Sequence, residues 1–367
     1  MKASGIGRRT FLKGAGVLFA SALAERQAVA LSRSDMVFAA TCRRPDGRYG
    51  AVLLNDAFEV IREIPLPDRG HDVTFNRQTG DAVIFARRPG NFAIVFDCKK
   101  LLEPRTVLAP EGRHFYGHGV YSPDGKLLYA TENDFEAAEG KIGIYDATDG
   151  YRRIGEISSF GIGPHDVVLT PDGRHLVIAN GGIETHPDFG RAKLNIPLME
   201  PSIVFVDRDT GTLIERHQPP QNLHKLSLRH LAITFEGQVI FGAQYEGPAH
   251  DHPPLTGRLA LGDEIRFWDC LSDTACQRRN YIGSVAISRD GVAAALSAPR
   301  DNAFALISIV DGTVLRSDRI LGVCGVAADR MGFVASSDTG YLDSLHNGSH
   351  VARHGIAFDN HLSVTTL

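Results

Sequence analysis

Strand and turn patterns recur along this chain at a spacing near 47 residues, and no other feature restricts the fold as strongly. "GHDVTFNRQTGDAVIFARRPGNFAIVFD" begins at Gly70 and "GHGVYSPDGKLLYATENDFEAAEGKIGIYD" at Gly117. "GPHDVVLTPDGRHLVIANGG" begins at Gly163 and resumes after an insertion as "SIVFVDRDTG". Each unit reads strand, turn, strand, loop, strand. His71 to His118 is 47 residues and His118 to His165 is again 47. The step from His165 to His230 is 65, an excess of 18 that matches the insertion 183–200. Weaker copies start at Arg229, Gly283 and Gly322, and a fragment, "RHGIAFDNHLSVTT", starts at Arg353. Repeats of roughly 40 to 50 residues made of short strands are the mark of β-propeller blades.

Seven blade openings can be counted, near His71, His118, His165, His230, Ser284, Cys324 and His354, with six or eight as the neighbouring counts. "MVFAATCRRPDGRYGAVLLND" and "EVIREIPLP" read as later strands of a blade that lacks its opening strand, whereas the C-terminal fragment is an opening strand without a blade. The expected fold is therefore all-β, a seven-bladed β-propeller over 31–367, closed by pairing of N- and C-terminal strands. Such closure removes the exposed sheet edges of an open array. The turns "SPDG", "TPDG" and "SRDG" place Asp-Gly where a hairpin needs positive φ.

Five openings begin with histidine: His71, His118, His165, His230 and His354. The first strand of a blade is innermost, so these side chains are expected to converge near the axis at one end of the channel. Neutral imidazole suits copper, iron and zinc, which makes the five candidate metal ligands. Asp72 and Asp166, or Glu132 and Asp134, are candidates for fixing the ring tautomers. The competing expectation is that each imidazole fastens its own blade and binds nothing. The spacing adds a difficulty, since His118 stands seven residues before Gly125 but His165 eight before Gly173. In a regular strand one residue of offset turns a side chain to the other face.

The insertion is too long for a hairpin loop, and long loops in compact domains are commonly functional or disordered. His186, Asp188, Arg191, Lys193 and Asn195 in it are candidates for contacting a ligand or partner; a lid packed by Phe189, Leu194, Ile196 and Met199 is the alternative. "YEGPAHDHPPL" offers His250, Asp251 and His252, which read more simply as a solvated loop. No G-x-S-x-G, H-E-x-x-H or phosphate-binding glycine loop occurs.

Residues 1–30 read as an address. Arg8 and Arg9 precede Phe11, Leu12 and Lys13, then a short apolar segment and small-x-small sites at Ala22-Leu23-Ala24 and Ala28-Val29-Ala30. This is the twin-arginine export pattern, with a segment too short for a stable membrane span. The expected location is the periplasm. Five cysteines cannot all pair internally, and Cys270 with Cys276 in "CLSDTAC" is the candidate disulfide. A net charge of −4 without a basic stripe gives no electrostatic footprint for nucleic acid, and none is expected as a partner.

The export signal, "FYGHGVYSPDGKLLYATEND", "NGGIETHPDFGRAKLN" and "FGAQYEG" together resemble an uncharacterised family of twin-arginine-exported, propeller-type bacterial proteins. The resemblance covers essentially the whole mature chain. It implies a role in periplasmic iron handling beside imelysin-type and dihaem-peroxidase-like proteins. The repeats also resemble those of quinoprotein and nitrous-oxide-reductase propellers, the latter holding copper through axial histidines, although Ser284 and Cys324 stand here at two openings. The expected function is binding of iron or copper at a histidine-lined axial site in metal uptake. The alternatives are a metal-free scaffold for imelysin-type or haem partners and a lactonase-like hydrolase.

Overall fold

The computed structural model describes residues 34–98, 103–269, 280–346 and 350–366. The expected export segment and the Cys270–Cys276 pair lie outside these residues. Among the described residues are seven antiparallel sheets, six of four strands and one of five. Their innermost strands touch in cyclic order: Gly70–Phe75, Arg113–Tyr121, Pro164–Leu169, Leu226–Ile233, Ser284–Ile287, Val323–Ala328 and Ser363–Thr366, which returns to the first. These define blades 1 to 7 of a seven-bladed β-propeller.

Blade 7 closes the ring. Met36–Arg43 pairs with Ser363–Thr366 through Met36↔Thr366 and with Ala357–Phe358 through Cys42↔Phe358, while Tyr49–Asn55 and Val60–Pro65 complete the sheet. Both ends of the described chain thus sit in one sheet, as expected. The inner strand of this blade is interrupted at 359–362, where the Asp359 amide still donates to the Thr41 carbonyl.

Burial follows from the blade geometry. Central strands such as Asp81–Ala86, His175–Asn180 and Ala293–Ala298 face a neighbouring blade on each side and read as continuous small and apolar runs. Outer strands such as Arg152–Ser158 and Leu213–His217 face solvent on one side and alternate. Between blades 1 and 2, Val83, Phe85 and Val95 pack on Phe115, Leu128 and Tyr145. Each such large side chain contributes about 1.5–3 kcal/mol by leaving water. The Asp-Gly turns form as expected: Asp124, Asp172 and Asp290 accept from Ser122, Thr170 and Ser288 hydroxyls, and Gly125, Gly173 and Gly291 take φ near +70°.

Candidate metal centre

The innermost strands of blades 1 to 4 each carry a histidine at the same end of the channel, and each strand is irregular at that point. Register shifts fall between Gly70 and Val73, Phe115 and Gly119, Pro164 and Asp166, and Leu228 and His230. Such bulges add a residue and re-aim a side chain. They absorb the one-residue offset between His118 and His165 that a regular strand would turn into opposite faces. Gly117 shows how tight the packing is: its φ is +114°, and a Cβ there would stand 2.2 Å from Cδ2 of His71.

Four of the five expected histidines converge. Ring centroids are 4.9 Å apart for His71 and His118, 5.2 Å for His118 and His165, and 4.7 Å for His165 and His230. The fifth member is His361, 4.6 Å from His71, 4.7 Å from His118 and 5.0 Å from His230. His354 is not part of the group. It is half-buried ahead of Ala357–Phe358, its amide donating to the Gly340 carbonyl and its ring edge-on to Phe358. Four residues, 359–362, separate Ala357–Phe358 from the true axial strand Ser363–Thr366, and His361 stands in that break two residues before the strand. Only the similarity of "HLSVTT" to "HLAITF" of blade 4 could have pointed to it.

Nitrogens of His71, His118 and His361 lie within 4.8 Å of one another, and so do those of His118, His165 and His230. His118 is common to both trios. Its Nδ1 sits 3.1 Å from Asp72 and 3.5 Å from Asp166, which leaves Nε2 facing the group. Asp72 also accepts from the Ser363 hydroxyl at 2.7 Å, and Asp166 from the Leu231 and Val167 amides at 2.9 and 2.8 Å. The buried Nδ1 of His71 and His165, Nε2 of His118 and His361, and both nitrogens of His230 have no hydrogen-bond partner among the described residues. Buried polar atoms are ordinarily paired, so these convergent nitrogens are available to an ion or to buried water.

Burial disfavours the imidazolium and holds His71, His165 and His230 well below the ordinary value, helped by neighbouring imidazoles. His361 is lowered to about 4 for the same reasons. Burial acts on His118 too, but the Asp166 and Asp72 carboxylates outweigh it and its pKa is raised. Burial likewise opposes ionisation of Asp72, but its hydrogen bond to His118 and the charge of His361 bring it down to about 2.

Glu132 and Asp134 do not serve the histidines. Glu132 accepts from Tyr145 at 2.5 Å and pairs with Arg153 at 2.8 Å, and Asp134 pairs with Arg113 at 3.1 Å, so both belong to blade 2's own framework. Blades 5 and 6 contribute no histidine to the group. Ser284 accepts from the Val326 amide, and the Cys324 thiol, pushed up to about 12 chiefly by burial, turns to the Gly322 and Phe358 carbonyls.

The insertion does not bring His186 to the axis. His186 accepts from the Asp188 amide, capping a single turn at Pro187–Phe189, while the Asp188 side chain is exposed. Asn195 fastens the loop, accepting from the Glu184 amide at 2.7 Å and donating to the Gly182 carbonyl at 3.0 Å. Arg191 and Lys193 cross to blades 1 and 4, at the Arg88 carbonyl and Glu246. Of the packing set, Met199 is buried, whereas Phe189 and Leu194 are exposed. His250 and His252 lie on an exposed loop.

A propeller with an axial histidine group is the class that this geometry defines. The chain belongs to the family described as "Protein of unknown function (DUF1513)", which matches residues 64–365. Among solved structures it is similar to Kuenenia stuttgartiensis hydrazine synthase, with 14% identity, a TM-score of 0.61, and 86% of this chain and 94% of that chain covered. It is also similar to the Myceliophteria thermophila Cps50 (Swd1) beta-propeller domain, with 13% identity, a TM-score of 0.57, and 85% and 95% covered. These likenesses concern the fold alone. No curated protein sequence matches. Among the described residues no helix is long and apolar enough to cross a membrane.

Proposed function

We propose that the protein binds a transition metal, iron or copper, through His71, His118, His165, His230 and His361, and serves metal handling in the periplasm. The observation that carries this reading is the convergence of buried imidazole nitrogens that have no partner among the described residues. An uncharged nitrogen set suits divalent copper or ferrous iron, with copper(II) favoured in affinity. His118 is the pivot, since its Nδ1 is engaged by carboxylates and its Nε2 is open, the arrangement that orients a metal-binding imidazole. The resemblance to exported propeller proteins supports the periplasmic role and the imelysin-type or dihaem-peroxidase-like partners that go with it.

The test is elemental analysis of the untagged protein purified from periplasm, beside a His118→Ala, His165→Ala variant. Near-stoichiometric iron or copper that the folded variant lacks is the expected result. Absence of metal from the wild type even after reconstitution would refute the reading and leave the metal-free scaffold.

A further inference from the structure

The histidine end of the channel is ringed by arginines. Arg87 and Arg229 lie close enough to the group to disfavour protonation, Arg87 at His71 and His361, Arg229 at His165 and His230. Arg69, Arg88 and Arg191 complete the cluster, with Arg191 reaching in from the insertion to the Arg88 carbonyl at 3.3 Å. Two nearly buried carboxylates neutralise part of this charge. Asp359 is shared by Arg69 and Arg87, and Glu246 by Arg229 and Lys193. Neither Arg88 nor Arg191 has an acidic partner among the described residues. These six cations thus stand against two carboxylates, with Arg300 a further neighbour of Arg229, in a chain whose net charge is −4. Partial burial and the four neighbouring guanidiniums push Arg191 down to about 10, so the folded rim holds like charges that repel.

We propose that this rim is a binding site for a small oxyanion carrying two or more negative charges, carboxylate or phosphate, held by Arg88 and Arg191. Guanidinium forks bind either group bidentately, and an anion here relieves the repulsion instead of adding a buried charge. A bare dication is repelled by the same rim. It follows, in the part that rests on the metal reading, that metal passes to the histidines as an oxyanion complex.

The experiment is calorimetric titration of the metal-free full chain with citrate and, separately, with pyrophosphate. Wild type is compared with Arg88→Gln, Arg191→Gln and with Arg88→Lys, Arg191→Lys. Saturable binding of at least one anion, weakened tenfold or more in the glutamine variant, is the expected result. Preference for citrate assigns a carboxylate ligand, and preference for pyrophosphate a phosphate. The lysine variant keeps charge but loses the forks, so weaker binding there supports the site even if the glutamine variant fails to melt cooperatively. No saturable binding by wild type, or equal binding by the folded variants, overturns the proposal. Metal content of the same variants, whose histidines are intact, reports on the metal reading separately.

Discussion

Replacing Asp72 by asparagine isolates the part of the metal account that depends on charge. Asp72 lies 3.1 Å from Nδ1 of His118 and is held by the Ser363 hydroxyl at 2.7 Å, so an amide of the same shape can occupy its place. Asp166, 3.5 Å from the same nitrogen, remains to orient the ring. Loss of a carboxylate behind a ligating imidazole lowers metal affinity by about 10- to 100-fold, or about 1.4–2.8 kcal/mol. The loss should depend on pH. The two carboxylates raise the pKa of His118 against the effect of burial, so Asp72 favours the proton as well as the metal. Below that pKa the two effects cancel in part, and the variant should approach wild type. Competition of apo protein with a chromophoric chelator for copper(II), at pH 8 and pH 6, reads both values. Unchanged affinity at pH 8 in a folded Asp72→Asn variant would refute the reasoning.

Gly117→Ala should lower stability by about 2–4 kcal/mol, since it combines overpacking with a Cβ at φ +114° directed onto the His71 ring; thermal melting checks it. Glu132→Ala should cost about 1–3 kcal/mol by leaving the buried Tyr145 hydroxyl without its acceptor, while Arg153 keeps Glu156 at 2.7 Å, and should leave metal stoichiometry of the folded fraction unchanged. The apo protein should lose stability as pH falls from about 6.5 toward 4. His71, His165, His230 and His361 have folded pKa values below the unfolded one, so the unfolded state takes up more protons across that window. Urea midpoints against pH measure this, and a flat profile would contradict it.

Blade number, closure and the turns were legible because they depend on local chemistry: Asp-Gly at positive φ, apolar runs between blades, and a repeat length that survives the insertion. Four of the five axial histidines were legible for the same reason. His354 was mistaken for the fifth because "RHGIAF" and "HLSVTT" both resemble a blade opening, and no Asp-Gly turn stands beside either to fix the register. The axial strand begins after the break at 359–362, a feature of tertiary pairing with Met36–Arg43. Bulges likewise could not be read from spacing, which is why His118 and His165 looked incompatible. The arginine rim was only partly visible, through Arg191 and Lys193, because Arg69, Arg87, Arg88 and Arg229 come from separate blades and meet only when the ring closes.

Anomalous diffraction from crystals of the copper-loaded or iron-loaded protein tests the central claim most directly. The account predicts a peak inside the histidine group, about 2.0–2.2 Å from imidazole nitrogens, with His118 among the ligands. A peak at His250 and His252 or at His354, or none at the axis under saturating metal, would contradict it.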